Sequence, residues 1–267
     1  SLVKERGGPP EATVWFERGI KAHILDAARV NAMMSDAAAS DDSIMRFVAH
    51  VGTATVATAL AVGERVDASG KDVLCAIAEG YDAGGRIGEA IAPGLGKRGF
   101  HNCIMTTFGA VVAASKLLGL TAKEMANAIV LTSTSIGGLG ISTNTFAREY
   151  YAGNSAMAGV NAALAAQKGF TVDENTLEAK GGFFASFAGK VDVASVTKDL
   201  GKEWDIVTEM SLKLMPGGHP SHAWAEAAAE AAKAGRVAPD EVKSITVHGP
   251  SRWRSRLHGP HPKDFPG

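Results

Sequence analysis

Runs of alanine, glycine, serine and threonine at helical spacing, broken at intervals by glycine or proline, constrain this chain more than any other feature. Residues 27–39 and 49–66 carry small and branched apolar side chains three and four apart, with an acidic stretch around Asp42 between them. They predict two helices joined by a polar loop. Ser69-Gly70-Lys71-Asp72 sets a capping hydroxyl and an acidic residue ahead of Val73, Ile77 and Tyr81, which predicts a helix to about Ile91, ended by Pro93 and Gly94. A cationic, glycine-rich loop over 94–100 then leads into a helix over 102–118, and Thr121-Ala122-Lys123-Glu124 is the capping box of the next helix. Residues 157–167 continue the pattern. Small side chains let helix axes approach closely, so the expected fold is mainly α, a large, compact all-helical domain.

From Gly169 the texture changes. Thr171-Val172-Asp173-Glu174 predicts the cap of a short helix, Gly181-Gly182-Phe183-Phe184 a glycine-aromatic turn, residues 211–214 extended backbone, and residues 223–234 an alanine-rich helix. Over 241–248, Val242, Ile245 and Val247 with polar residues between them read as a strand. One strand cannot satisfy its own backbone groups. The expected organisation is therefore a helical domain over 1–235 and, over 236–267, the beginning of an incomplete α/β lid domain, with more sheet beyond and the chain a fragment of a longer protein.

A chain of 267 residues with 46% hydrophobic content can bury a full core. Its formal charge of −1 and scattered Lys and Arg form no continuous basic face, which argues against nucleic acid as a partner. The longest apolar run, 108–120, is interrupted by Ser115 and Lys116 and is too short for a bilayer, which argues against a membrane. Cys75 and Cys103 lack metal-ligand spacing and read as reduced thiols of a cytoplasmic protein.

The polar residues that interrupt this background are where chemistry is expected. They are Asp41-Asp42-Ser43, His50-Val51-Gly52, Arg98-Gly99-Phe100-His101, Arg148-Glu149-Tyr150-Tyr151 and His219-Pro220-Ser221-His222, each joining a titratable side chain to a glycine or proline break or a helix start. His50 opens a small-residue helix, where the dipole disfavours imidazolium and leaves a neutral ring able to accept a proton. The plain alternative is a histidine hydrogen-bonded to the preceding loop. His101 sits similarly before Asn102, and its alternative is a capping or interhelix hydrogen bond. Asp42 and Ser43 either position His50, bind a substrate hydroxyl, or serve as caps. Arg148 cannot transfer protons near neutrality, but its planar fork can hold a carboxylate. Tyr151 offers a phenol to donate a hydrogen bond, or an aromatic ring for packing. His219 and His222 flank Pro220 with a spacing that suggests metal, yet no third ligand is nearby in sequence and no metal site is expected. His23, His248, His258 and His261 read as solvated. Gly137-Gly138-Leu139-Gly140 lacks the spacing and the preceding strand of a phosphate cradle and reads as a tight loop lining a pocket.

Taken together, the acidic pair with its hydroxyl and His-x-Gly, the Arg-Gly-Phe-His of 98–101 and Ala152-Gly153-Asn154-Ser155-Ala156 resemble the MmgE/PrpD family of dehydratases, decarboxylases and epimerases, over about residues 27–247. The resemblance implies a helical domain with a smaller α/β lid, a homodimer, no cofactor, and lyase or isomerase chemistry on a small di- or tricarboxylate. It implies catalytic roles for His50, His101 and one of the pair His219 and His222, with His222 preferred, and roles for Asp42 and Tyr151. Arg148, Ser43 and His219 would bind substrate. Three departures stand out: Arg148 where many members carry Lys, Ala39 where an acidic residue is common, and Tyr151 where histidine is frequent. The competing expectations are a non-catalytic carboxylate-binding protein on the same scaffold and a helical interaction module without a ligand.

Overall fold

A computed structural model describes residues 2–143 and 145–249. The described residues form two compact units that divide between Leu212 and Lys213. In the first, α1 (Leu2–Arg6) precedes a small antiparallel hairpin of β1 (Ala12–Thr13) and β2 (Lys21–Ala22), in which Ala12 faces Ala22. Then come α2 (Ile24–Ala37), β3 (Asp42–Ile44), α3 (Val51–Val66), α4 (Gly70–Leu95), α5 (Thr106–Leu117), α6 (Ala122–Ser133) and α7 (Ala147–Gln167). Three short helices follow, α8 (Phe183–Phe187), α9 (Val193–Thr197) and α10 (Asp205–Thr208), before β4 (Met210–Leu212). The second unit holds α11 (His219–Gly235) and a 3-10 turn at Pro239–Glu241. The protein is mainly α.

Helix α5 is the axis of the first unit: every residue from Thr106 to Ser115 is buried, as expected of a helix apolar on all sides. It packs against α3, α4, α6 and α7. Glycine makes one of these crossings possible, because a methyl group built on Gly80 would lie 2.5 Å from the carbonyl oxygen of Gly109. Tyr81, Phe108, Ile91 and Leu95 are fully buried beside the rings of Phe183 and Phe184. Each such side chain stabilises the fold by roughly 2 kcal/mol.

Caps set the helix starts where the sequence indicates. The Ser69 hydroxyl accepts from the Asp72 N–H, and Thr121 and Glu124 form a reciprocal capping box. Other expectations need correction. Helix α4 runs through Pro93 to Leu95, because a proline in the last turn costs one backbone hydrogen bond that burial of Ile91 and Leu95 outweighs. The stretch after Thr171 forms turns instead of a helix, with the Asp173 carboxylate accepting from the Asn175 N–H. Segment 102–118 begins as a 3-10 turn, Asn102–Met105, before α5. The polar loop near Asp42 contains a strand, β3, whose partner β4 comes from the extended stretch expected near 211. Residues 242–249 form no strand, and no strand pairs with them among the described residues. His23 is not simply solvated: its Nδ1 accepts from the Leu25 N–H and caps α2. Among the described residues no helix is long and apolar enough to cross a membrane.

Candidate functional site

Two loops of the first unit each carry a histidine to a helix start. The first is built by the β3–β4 pairing and a tight return. Asp42, Ser43 and Ile44 face Leu212, Ser211 and Met210, and the Ile44 N–H then donates to the Ala49 carbonyl at 2.9 Å. Val48 sits in the left-handed region at φ 54°, a conformation costly for a branched residue and set directly beside the site. The return lays the His50 ring alongside 41–43. Its Nδ1 lies 2.7 Å from the Asp42 carbonyl, 2.9 Å from Ser43 Oγ and 3.0 Å from Asp41 Oδ2. A carbonyl can only accept, so the proton of a neutral His50 sits on Nδ1 and the lone pair on Nε2.

The second loop reverses that arrangement. His101 follows a bridge between Phe100 and Leu139, its N–H donates to the Gly138 carbonyl at 2.9 Å, and its Nδ1 accepts the Cys103 N–H at 3.1 Å. A backbone N–H can only donate, so a neutral His101 carries its proton on Nε2. Asn102 ties the loops together, its amide donating to the carbonyls of Phe47 at 2.9 Å and Val48 at 3.2 Å.

Both rings line one hollow together with Arg148, Tyr151 and Asp36. The space is about 10 Å³, room for roughly one water. Arg148, in the first turn of α7, donates from Nη2 to Asp36 Oδ1 at 2.9 Å. Asp36 lies in the last turn of α2, where the helix dipole opposes a negative charge. Burial first, then Asp41 and Glu149, raise the Asp36 carboxyl to about 6, against the opposing pull of Arg148 and His50. The His101 imidazole is lowered to about 4, by burial and then by the Arg148 cation and the repulsion a protonated His50 would exert. Tyr151 packs its ring 5.3 Å from that of His101, and burial lifts its phenol to about 12. Burial likewise raises the Cys103 thiol.

The sequence candidates thus separate into groups. His50, His101, Arg148 and Tyr151 share the hollow. Ser43 supports the His50 ring and is fully buried. The Asp42 carboxylate turns away from that ring, accepting from Tyr81 Oη at 2.7 Å and the Gly52 N–H at 3.2 Å, and burial raises it. Gly52 is required there, because a methyl group on it would lie 2.2 Å from Asp42 Oδ1. Of the acidic pair, it is the Asp41 carboxylate that meets His50. His219 and His222 belong to the second unit, in the first turn of α11, with ring centroids 5.2 Å apart. Among the described residues no group of three or more His, Cys, Asp or Glu is arranged to hold a metal ion.

Sequence reasoning missed Asp36, Asn102 and Thr53. Thr53 lines the hollow with a buried hydroxyl lacking a hydrogen-bond partner among the described residues, as does Asp36 Oδ2. Their only signal was a polar residue on a helix face otherwise given to alanine, an unspecific mark. Gly137, Gly138 and Leu139 line a separate, open depression of about 390 Å³ that shares Tyr151 with the hollow.

Comparison with known proteins agrees with the motif resemblance. The family model described as the MmgE/PrpD N-terminal domain matches residues 1–195. Cis-aconitate decarboxylase of Homo sapiens is 26% identical over 256 residues, covering 90% of this chain and 52% of that protein. The cis-aconitate decarboxylase-like protein oryM of Aspergillus oryzae is 30% identical over 156 residues, 55% of this chain and 32% of that protein. The chain therefore spans about half of the human protein's length and about a third of the fungal one.

Proposed function

This chain belongs to the MmgE/PrpD family, and from that premise we propose that it is the helical part of a lyase or isomerase that abstracts a proton next to a carboxylate of a small di- or tricarboxylate. One observation carries the reading: two imidazoles whose Nδ1 atoms meet opposite backbone partners, a carbonyl and an N–H, line the same hollow as an arginine. The names of the relatives, both decarboxylases or decarboxylase-like, support the substrate class.

In the reaction, Arg148 binds a substrate carboxylate and orients the adjacent C–H. The lone pair on His50 Nε2 takes the proton. The imidazolium that forms keeps its Nδ1–H on the Asp42 carbonyl, and the Asp41 carboxylate 3.0 Å away stabilises the new charge. His101 cannot easily take a second proton, since its Nδ1 is occupied by the Cys103 N–H. It donates from Nε2 to the oxygen on which charge develops, or to a departing hydroxyl. Ser43 and Asp42 act by positioning His50, and Tyr151 fixes the His101 ring by packing. We further propose that His222 and His219, residues after 235 and a second copy of the chain complete the enzyme.

Proton NMR in deuterated water tests this. Incubation with citrate, cis-aconitate and 2-methylcitrate is expected to give turnover or exchange of a C–H beside a carboxylate for deuterium, abolished in His50→Gln. Lack of turnover and exchange with every acid contradicts the reading. The hollow as it stands holds about one water and must widen to admit any of these acids. Arg148 and Ala39, where other residues are common in the family, motivate one alternative, a carboxylate-binding protein without turnover, for which calorimetry would register binding while NMR registers no product.

A further inference from the structure

Asp36 is a buried carboxylate in a hollow otherwise built for an anion. It is 4% exposed, lines the hollow beside Arg148, and its second oxygen, Oδ2, has no hydrogen-bond partner among the described residues. Its first oxygen occupies one nitrogen of the very guanidinium that would hold a ligand carboxylate. Two ionised carboxylates cannot share so small a space at modest cost, whereas a carboxyl and a carboxylate can share a proton between them.

We infer that Asp36 couples carboxylate binding at Arg148 to the uptake of one proton, which comes from solvent to Asp36 Oδ2 and bridges to the bound ligand. The inference rests on the proposed function only in taking a carboxylate as the ligand. Asp36 is then a positioning residue: it converts one arm of the anion site into a hydrogen-bond donor and makes affinity depend on pH. The groups facing it are Arg148, Glu149 and Tyr151 from α7, Asp41 and His50 from the β3 loop, His101, which titrates lower, at about 4, and Cys103 from the 3-10 turn. Arg148 keeps its charge throughout, and Tyr151 and Cys103 are pushed away from neutrality. Histidine ordinarily titrates in the relevant range, so His50 needs its own control. The raised carboxyl of Asp36, at about 6, sets where the coupling begins.

The test is binding of formate, the smallest carboxylate, followed by NMR titration of the whole protein. In the wild type, the formate Kd is expected to rise about tenfold per pH unit above about pH 6. The same slope is expected in His50→Gln. In Asp36→Asn the Kd stays level, and at about pH 8 this variant binds on the order of a hundredfold tighter than wild type. A slope that survives in Asp36→Asn, a slope that vanishes in His50→Gln, a level wild-type profile, or no formate binding overturns the inference. Should Asp36→Asn fail to fold, wild-type protein labelled with 13C at its carboxyls decides: formate added at about pH 7.5 must move one aspartate resonance to its protonated position, and a spectrum without that change overturns the coupling. Turnover of polycarboxylates is scored separately. Turnover without the slope keeps the proposed function and removes the coupling, while the slope without turnover does the reverse.

Discussion

Segments 41–51 and 99–106 each bring an imidazole to the start of a helical stretch, and their backbones give the two rings opposite chemistry. In the first, a carbonyl faces Nδ1; in the second, an amide N–H does. On the proposed reading the first ring supplies a lone pair and the second a proton. A histidine at a helix start therefore has no fixed role. The role follows from one hydrogen-bond partner two to eight residues away in sequence.

Substitution at the two positions sharpens the contrast. Replacing His50 by Gln or by Leu is expected to lower turnover equally, by about a thousandfold or more, because neither side chain can accept a proton. At position 101 the two differ. His101→Leu should cost about a hundredfold and His101→Gln only about tenfold, because an amide still donates. Steady-state kinetics on the four variants checks this, and equal losses for Gln and Leu at 101 would contradict a donor role.

Asn102 holds the two segments in register, so Asn102→Ala tests whether the pair acts as a unit. Two carbonyls lose their donor, for a loss of roughly 1–2 kcal/mol in stability by denaturant unfolding, and turnover is expected to fall about tenfold. Unchanged turnover would mean that the loops hold their spacing without it.

Stability against pH contrasts a carboxyl of the hollow with an imidazole. Asp36 has a carboxyl raised from 3.8 to about 6, so the folded state binds its proton more tightly: its contribution is fully present below 3.8 and is lost as pH rises through 6. His101 has an imidazole lowered from 6.5 to about 4, so the unfolded state binds that proton more tightly: stability is full above 6.5 and is lost as pH falls towards 4. Between these limits the two slopes oppose one another. Urea unfolding across the window is expected to give a shallow wild-type profile, a profile rising with pH in Asp36→Asn and one falling with pH in His101→Gln. Each unmasked slope should amount to roughly 1–3 kcal/mol over the window. Identical profiles in all three proteins would contradict both shifts.

What could be read from the sequence follows from how local each signal is. Ser69 and Thr121 announce their helices because a cap is written within four residues. Pro93 misleads because the burial that carries α4 past it comes from other elements. The strand near Asp42 was hidden for the same reason, its partner being Leu212, far along the chain. At the candidate site, His50, His101 and Arg148 stand out beside glycine breaks or helix starts. Asp36 does not, since an aspartate near the end of an alanine-rich helix looks like a solvated surface residue until α7 closes over it. Nor does sequence distinguish Asp41 from Asp42, because which carboxylate meets the ring is decided by strand register.

The most direct measurement is long-range proton–nitrogen correlation NMR on protein with 15N-labelled histidines at about pH 7, with His50→Gln and His101→Gln used to assign the two rings. The expected result is a proton on Nδ1 of His50, and a neutral His101 with its proton on Nε2. The same tautomer in both rings, or a charged His101, would contradict the division of base and donor between them.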